Sequence, residues 1–250
     1  MNPDLELALA MADLADAITM RHFRSTSLVV RTKIDMTPVS EADEEVERAL
    51  RGHLASARPS DGILGEEFGV TGGSARRWIL DPIDATKNYV RGIPVFATLI
   101  ALEGIAGVVS APALGRRWWA ARGEGACCNG TRISVSGIAT LEEAHLTYDS
   151  ITDFDQHGGT DAFLALTRRC TRARGFGDFW AHMLVADGSI DIAVEVGGLA
   201  VWDIAAVKVV VEQAGGRCTD LRGDARIDTG DVISTNGLLH DDVVAAFRRA

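Results

Sequence analysis

Three observations predict a mixed α/β fold for this chain of 250 residues. Apolar residues recur at helical spacing in several long windows, the clearest being Leu5 to Phe23 and Val201 to Ala214. Short runs rich in Val, Ile and Ala, bounded by turn residues, alternate with those windows. Apolar residues make up 47% and charged residues 24%, an ordinary balance for a soluble globular enzyme with a sizeable core. No low-complexity linker or repeat divides the chain, so a single domain spanning 1–250 is expected, with a soft division near residues 130–147.

Taken in order, Leu5 to Phe23 predicts an amphipathic helix and Leu28 to Ile34 a strand. Thr37-Pro38 reads as a cap followed by proline at the first helical position, opening a helix through about His53. Arg77 to Leu80 reads as a buried strand, with Pro82 stopping its ladder and a helix starting near Asp84. Ile93 to Pro112 is apolar apart from Glu103 and long enough for a membrane span. Its composition favours a hairpin instead, Val95 to Leu102 and Ile105 to Ala111 joined by Glu103-Gly104. Arg116 to Ala121 and the glycines after it suggest a second hairpin. Helices are expected over Thr160 to Cys170, Phe179 to Ala186 and Val201 to Ala214, the last ended by Gly215-Gly216. Strands at Ile190 to Val196 and Val232 to Ser234 precede a final helix from Leu238 to Arg249.

A net charge of −10 argues against non-specific binding to nucleic acid or to an anionic membrane. It leaves room for a small phosphorylated ligand, because a bound metal reverses the local sign. The acidic, polar N-terminus lacks the pattern of a secretory signal, and none of the four cysteines forms a C-x-x-C pair. A reduced cytoplasm is the expected compartment.

The segment Trp78-Ile79-Leu80-Asp81-Pro82-Ile83-Asp84-Ala85-Thr86-Lys87-Asn88 carries the most chemistry. Carboxylates at the end of a strand, beside the amides of a new helix, can hold hard cations and an anion together. Three other acidic motifs accompany it: Lys33 to Asp43, Gly65-Glu66-Glu67-Phe68-Gly69 and Trp202-Asp203-Ile204-Ala205-Ala206. Singly, each has a bland explanation. Glu41 and Asp43 suit the positive end of a helix, Glu66-Glu67 a solvated turn, Asp81-Pro82 a turn start and Asp203 a helix cap. Yet Asp81, Asp84 and Asp203 all sit among strongly apolar residues, where an unpaired carboxylate is costly, and metal coordination would explain all three.

Together and in this order, the four motifs resemble the inositol monophosphatase family of magnesium-dependent sugar phosphatases. The resemblance runs from about Leu5 to the C-terminus and implies an αβαβα sandwich like that of fructose-1,6-bisphosphatase. Finer matches, at Lys87 to Val95, Val108 to Gly123, Gly177-Asp178-Phe179 and Asn236 to Asp241, resemble the actinobacterial histidinol-phosphate phosphatase branch. That resemblance implies phosphomonoester hydrolysis by metal-activated water, with two or three Mg²⁺ ions per subunit.

By the same resemblance, Glu66, Asp81 and the Ile83 carbonyl hold one Mg²⁺, and Asp81, Asp84 and Asp203 hold a second. Glu67 joins Glu66 at a weaker third site, and Glu66 also counts among the catalytic residues. Thr86 orients the attacking water and Asp43 supports Thr86. The amides of Ala85 and Thr86 bind phosphate, with Asp84, Lys87 and Asp203 beside it. Histidinol phosphate carries an ammonium and an imidazole, so acidic contacts are expected, first from Asp178 and then from Glu195. Arg174 is a candidate contact to phosphate or to a neighbouring subunit's site, and a surface arginine is its plain alternative. A homodimer is implied, with the region of Trp118-Trp119 as one possible contact and the core as the other place for those rings.

One residue departs from the family pattern. Ala85 stands where the family has glycine; a positive φ there would cost on the order of 1 kcal/mol. The functional alternatives are an inositol-1-phosphate or other sugar-phosphate phosphatase and, because of Ala85, a catalytically weak metal- and phosphate-binding protein.

Overall fold

The computed structural model describes residues 2–33 and 38–248. Thr37 and the rest of 34–37 lie outside those residues. The first half contains α1 (Pro3–His22), β1 (Val30–Thr32), β2 (Pro38–Ser40), α2 (Glu41–Ala57), β3 (Gly62–Gly65), β4 (Gly69–Thr71), β5 (Arg77–Asp84) and α3 (Thr86–Val90). It continues with β6 (Ala97–Leu102), β7 (Ala106–Ala111), β8 (Arg116–Ala121), β9 (Gly125–Cys128) and β10 (Thr131–Ile133). The second half contains β11 (His145–Tyr148), α4 (Ile151–His157), α5 (Thr160–Arg169), β12 (Arg172–Gly175), α6 (Asp178–Ala186), β13 (Ile192–Val196), α7 (Val201–Gln213), β14 (Arg217–Thr219), β15 (Asp231–Thr235) and α8 (His240–Arg248).

Eight strands form one sheet in the order β10-β9-β8-β7-β6-β5-β3-β4, and five form another in the order β12-β11-β13-β15-β14. α1 and α2 bury Leu5, Met11, Val46 and Leu50 against one face of the larger sheet. α6 and α7 cover its other face with Phe179, Met183, Ile204 and Val207. The smaller sheet packs beneath α6 and α7, and α4, α5 and α8 close its far face through Phe154, Phe163 and Val243. The result is an αβαβα sandwich. α7 is apolar almost all round because it lies between two sheets, the setting that removes any polar face from a helix.

Most of the expected elements fall within a residue or two of their observed bounds. Two need correction. Pro38 does not open a helix; it begins β2, where its missing N–H faces no ladder partner it must serve. α2 starts at Glu41 instead, because Ser40 and Asp43 form a capping box: Ser40 N and Oγ donate to Asp43 Oδ2 at 2.8 and 2.6 Å. Pro82 does not stop its ladder either, since β5 runs on to Asp84. Of the paired tryptophans, Trp118 is fully buried and its indole N–H donates to Asp187 at 3.0 Å, so that ring belongs to the core. Among the described residues, no helix is long and apolar enough to cross a membrane.

Candidate active site

The continuation of β5 past Pro82 creates the site. Against β6, Asp81 pairs with Leu99 and Asp84 with Ala97, so three steps on one strand face two on the other. In a regular strand, residues three apart point to opposite faces. The extra residue of this bulge brings Asp81 and Asp84 to the same side. Thr98 fixes the bulge by donating its hydroxyl to Pro82 O at 2.8 Å.

α7 supplies the third carboxylate from its first turn, where Asp203 also accepts from Ala200 N at 2.7 Å. Ligand oxygens of Asp81, Asp84 and Asp203 all lie within 4.8 Å of one another. β3 runs parallel to β5 with Gly65 beside Leu80, which places Glu66 next to Asp81. All four carboxylates line a cavity of about 390 Å³.

The electrostatics of this wall are those of a cation site. Burial, followed by the neighbouring carboxylates, pushes Asp81 and Asp84 well above the usual carboxylate range. Burial likewise pushes Asp203 up to about 7. Asp81 Oδ1 is buried without a hydrogen-bond partner among the described residues. An orphaned carboxylate oxygen facing two more carboxylates is costly unless a cation completes it. The donor set is all oxygen, which suits Mg²⁺ or a similar hard ion. The residues present therefore fit a metal.

Thr86 opens α3 beside this cluster. Its hydroxyl lies 2.8 Å from Ile83 O and 3.3 Å from Asp43 Oδ1. Burial pushes Asp43 up to about 6. Ala85 is the N-cap of α3 with φ 65° and ψ 45°, a left-handed conformation that strains any residue with a Cβ. Lys87 lies exposed at the rim of the cavity.

The opposite wall comes from α6 and the smaller sheet. Asp178 begins α6 at φ 51°, and the next amide, Phe179 N, donates to Asp84 Oδ2 at 2.8 Å. Burial, then Asp149 and Glu195, push Asp178 up to about 8. Glu195 points into the cavity from β13, is only 3% exposed, and leaves Oε1 without a partner among the described residues. Burial, then Asp149, raises it well above the usual range. Its other oxygen lies 3.5 Å from His182 Nε2; burial holds that imidazole down to about 4, so it is neutral near pH 7.

Three site candidates do not line the cavity: Glu67, Arg174 and Asp43, which lies behind Thr86. Glu67 pairs with Lys33 Nζ at 2.7 Å, an ammonium that also holds Glu66 at 2.7 Å. Arg174 lies on the exposed edge strand β12 and lines a separate hollow with Phe176 and Leu184. Three residues around the site carried no signal recognised in the sequence: Glu47, Asp149 and His182. Glu47 was the most findable. It falls on the stripe Asp43, Val46, Leu50, Leu54 that α2 buries, a place where a charge needs a reason.

The fold and its carboxylate cluster define a site built for a hard divalent cation. The inositol monophosphatase family matches residues 1–250. Histidinol-phosphatases of Streptomyces coelicolor and Mycobacterium tuberculosis are each 50% identical over 96% of this chain, covering 95% and 96% of their own lengths. Among solved structures, the Thermotoga maritima IMPase aligns with TM-score 0.88 at 32% identity, over 99% of this chain and 98% of its own. The chain belongs to the inositol monophosphatase family.

Proposed function

We propose that this chain hydrolyses L-histidinol phosphate to L-histidinol and phosphate, using Mg²⁺. The observation that carries the substrate is the second acidic wall. Asp178 and Glu195 lie across the cavity from Asp81, and Glu195 keeps an unpaired buried oxygen. An ammonium would hold that carboxyl in its charged form and pair with its open oxygen, whereas a neutral polyol brings no charge to do so. The names of the relatives at 50% identity agree with this reading.

Glu66, Asp81 and the Ile83 carbonyl would hold one ion, and Asp81, Asp84 and Asp203 another, with Glu66 and Glu67 able to hold a third. When bound, the ions would neutralise these carboxylates, acidify an attacking water and stabilise the leaving oxygen. The Thr86 hydroxyl has one hydrogen, directed to Ile83 O or Asp43 Oδ1, and lone pairs free to accept from that water. Asp43 stands behind it as the final proton acceptor. Thr86 N, at the unsatisfied start of α3, would hold the phosphate, with Lys87 at the rim. The water oxygen bonds to phosphorus as the ester bond breaks, the leaving alkoxide of histidinol takes a proton from solvent water, and the proton left on Asp43 returns to that solvent.

A homodimer would give the outward-facing Arg174 a second copy to contact, and the four free cysteines suit a reducing compartment such as the cytoplasm. Phosphate release from L-histidinol phosphate and inositol 1-phosphate, each with Mg²⁺ and with EDTA, tests the reading. Metal-dependent preference for histidinol phosphate is expected. Preference for the inositol ester would overturn the substrate, and release unaffected by EDTA would overturn the metal.

A further inference from the structure

We infer that Glu47 is a positioning residue that presents Glu66 and Glu67 to a divalent ion, an inference that rests on the metal reading above. Glu47 lies on α2 with no solvent exposure. Its carboxylate accepts two successive backbone amides of the turn after β3: Glu67 N at 2.7 Å and Phe68 N at 3.1 Å. Arg51, one helical turn on, donates to it at 2.7 Å and also holds the far side of the turn, through Thr71 Oγ1 at 2.7 Å and Gly69 O. The turn that carries both acidic side chains is therefore clamped from below by one carboxylate and one guanidinium.

Two features separate Glu47 from the candidate metal ligands. Both of its oxygens already have partners, Oε1 with Arg51 and Phe68 N and Oε2 with Glu67 N. Its charge is matched by Arg51 at 2.7 Å, whereas Asp81 faces further carboxylates. The fit also depends on Gly65. A Cβ at that position would overlap the Glu47 carboxylate, so the residue before Glu66 must be glycine for the clamp to close. Carboxylates that hydrogen-bond around a metal's own ligands fix their orientation, and their loss typically costs ~10–100-fold in metal affinity.

The test is a titration of the intact protein with MgCl₂, read as the rise in Tm and, separately, as the Mg²⁺ dependence of phosphate release. Glu47→Gln is expected to move the Mg²⁺ midpoint upward by about tenfold or more, with turnover at saturating Mg²⁺ largely retained. Gly65→Ala, which attacks the same clamp from the other side, should shift the midpoint in the same direction. Leu54→Ala, a cavity-forming change elsewhere in α2, should lower Tm in EDTA and leave the midpoint unmoved. A normal midpoint in Glu47→Gln, or an equal shift in Leu54→Ala, would overturn the inference while leaving the proposed reaction intact. A wild-type protein that shows no Mg²⁺ response would overturn both.

Discussion

Asp81 and Glu195 face the same cavity from opposite walls, and each leaves one buried oxygen without a partner among the described residues. Their surroundings differ. Asp81 is grouped with Asp84 and Asp203 inside 4.8 Å, next to Glu66, so several negative charges converge on one point. Glu195 has a neutral imidazole at 3.5 Å and carboxylates only at longer range. A compact, doubly charged ion suits the first oxygen and a singly charged organic cation the second. On the proposed function, one cavity separates the carboxylates that would serve the attack on phosphorus from the wall that would recognise the alcohol.

Removing each oxygen in turn breaks the comparison most directly. Asp81→Asn leaves the fold in place but takes away a charge shared between both proposed ions. The loss of several kcal/mol of charge stabilisation corresponds to a fall in kcat of about a thousandfold on any phosphate ester. Steady-state rates on histidinol phosphate and inositol 1-phosphate should fall together; a loss confined to one substrate would contradict the role given to Asp81. Glu195→Gln should do the reverse. An unpaired buried ammonium costs about 2 kcal/mol, so KM for histidinol phosphate should rise about thirtyfold, with little change for the inositol ester. Equal effects on the two esters would remove the distinction between the walls.

Metal removal sharpens the comparison through pH. Asp178 is pushed up to about 8, and Asp203 and Glu67 up to about 7, in each case chiefly by burial. A raised folded-state pKa contributes stability below the unfolded value that is lost as pH rises through the folded one. The metal-free protein should therefore lose several degrees of Tm between pH 6.5 and pH 8. His182 and His240, both held down to about 4, work the other way, but only below their unfolded value of 6.5. Saturating Mg²⁺ supplies the missing charge and should flatten the slope. Scanning calorimetry in EDTA and in Mg²⁺ checks this, and a Tm in EDTA that rises over the same window would refute it.

The two walls were also unequally legible in the sequence. The metal wall is written in contiguous runs, with Asp81 and Asp84 beside one proline and Asp203 after Trp202. Even so, the bulge that turns Asp81 and Asp84 to one side is a register effect with β6 that no local pattern displays. The other wall is assembled across distance. Asp149 follows β11, and β11 was not expected because its four residues gain strand character only through parallel pairing with β12 and β13. β12 itself, Arg-Ala-Arg-Gly, is an exposed edge with no apolar alternation to reveal it. His182 looks like any helix residue until β13 brings Glu195 beside it. Glu195 could be named but not aimed, since its facing depends on the β13 register.

The smallest expected effect concerns Ala85, between the two walls. Its φ of 65° answers a question the sequence left open, because the residue adopts the left-handed conformation that glycine accepts freely. Ala85→Gly relieves about 1 kcal/mol of strain but restores about 0.5–1 kcal/mol of unfolded-state freedom. The net change in stability should stay within about 0.5 kcal/mol, a Tm shift of about 1–2 °C. The strain is present before and during the reaction alike, so by itself it does not alter the barrier. Turnover should accordingly remain within about threefold of the parent, since a threefold change is well under 1 kcal/mol. A gain of tenfold or more would mean that the methyl crowds the bound phosphate. It would also favour the reading of this chain as a weak hydrolase whose carboxylates outlasted its rate.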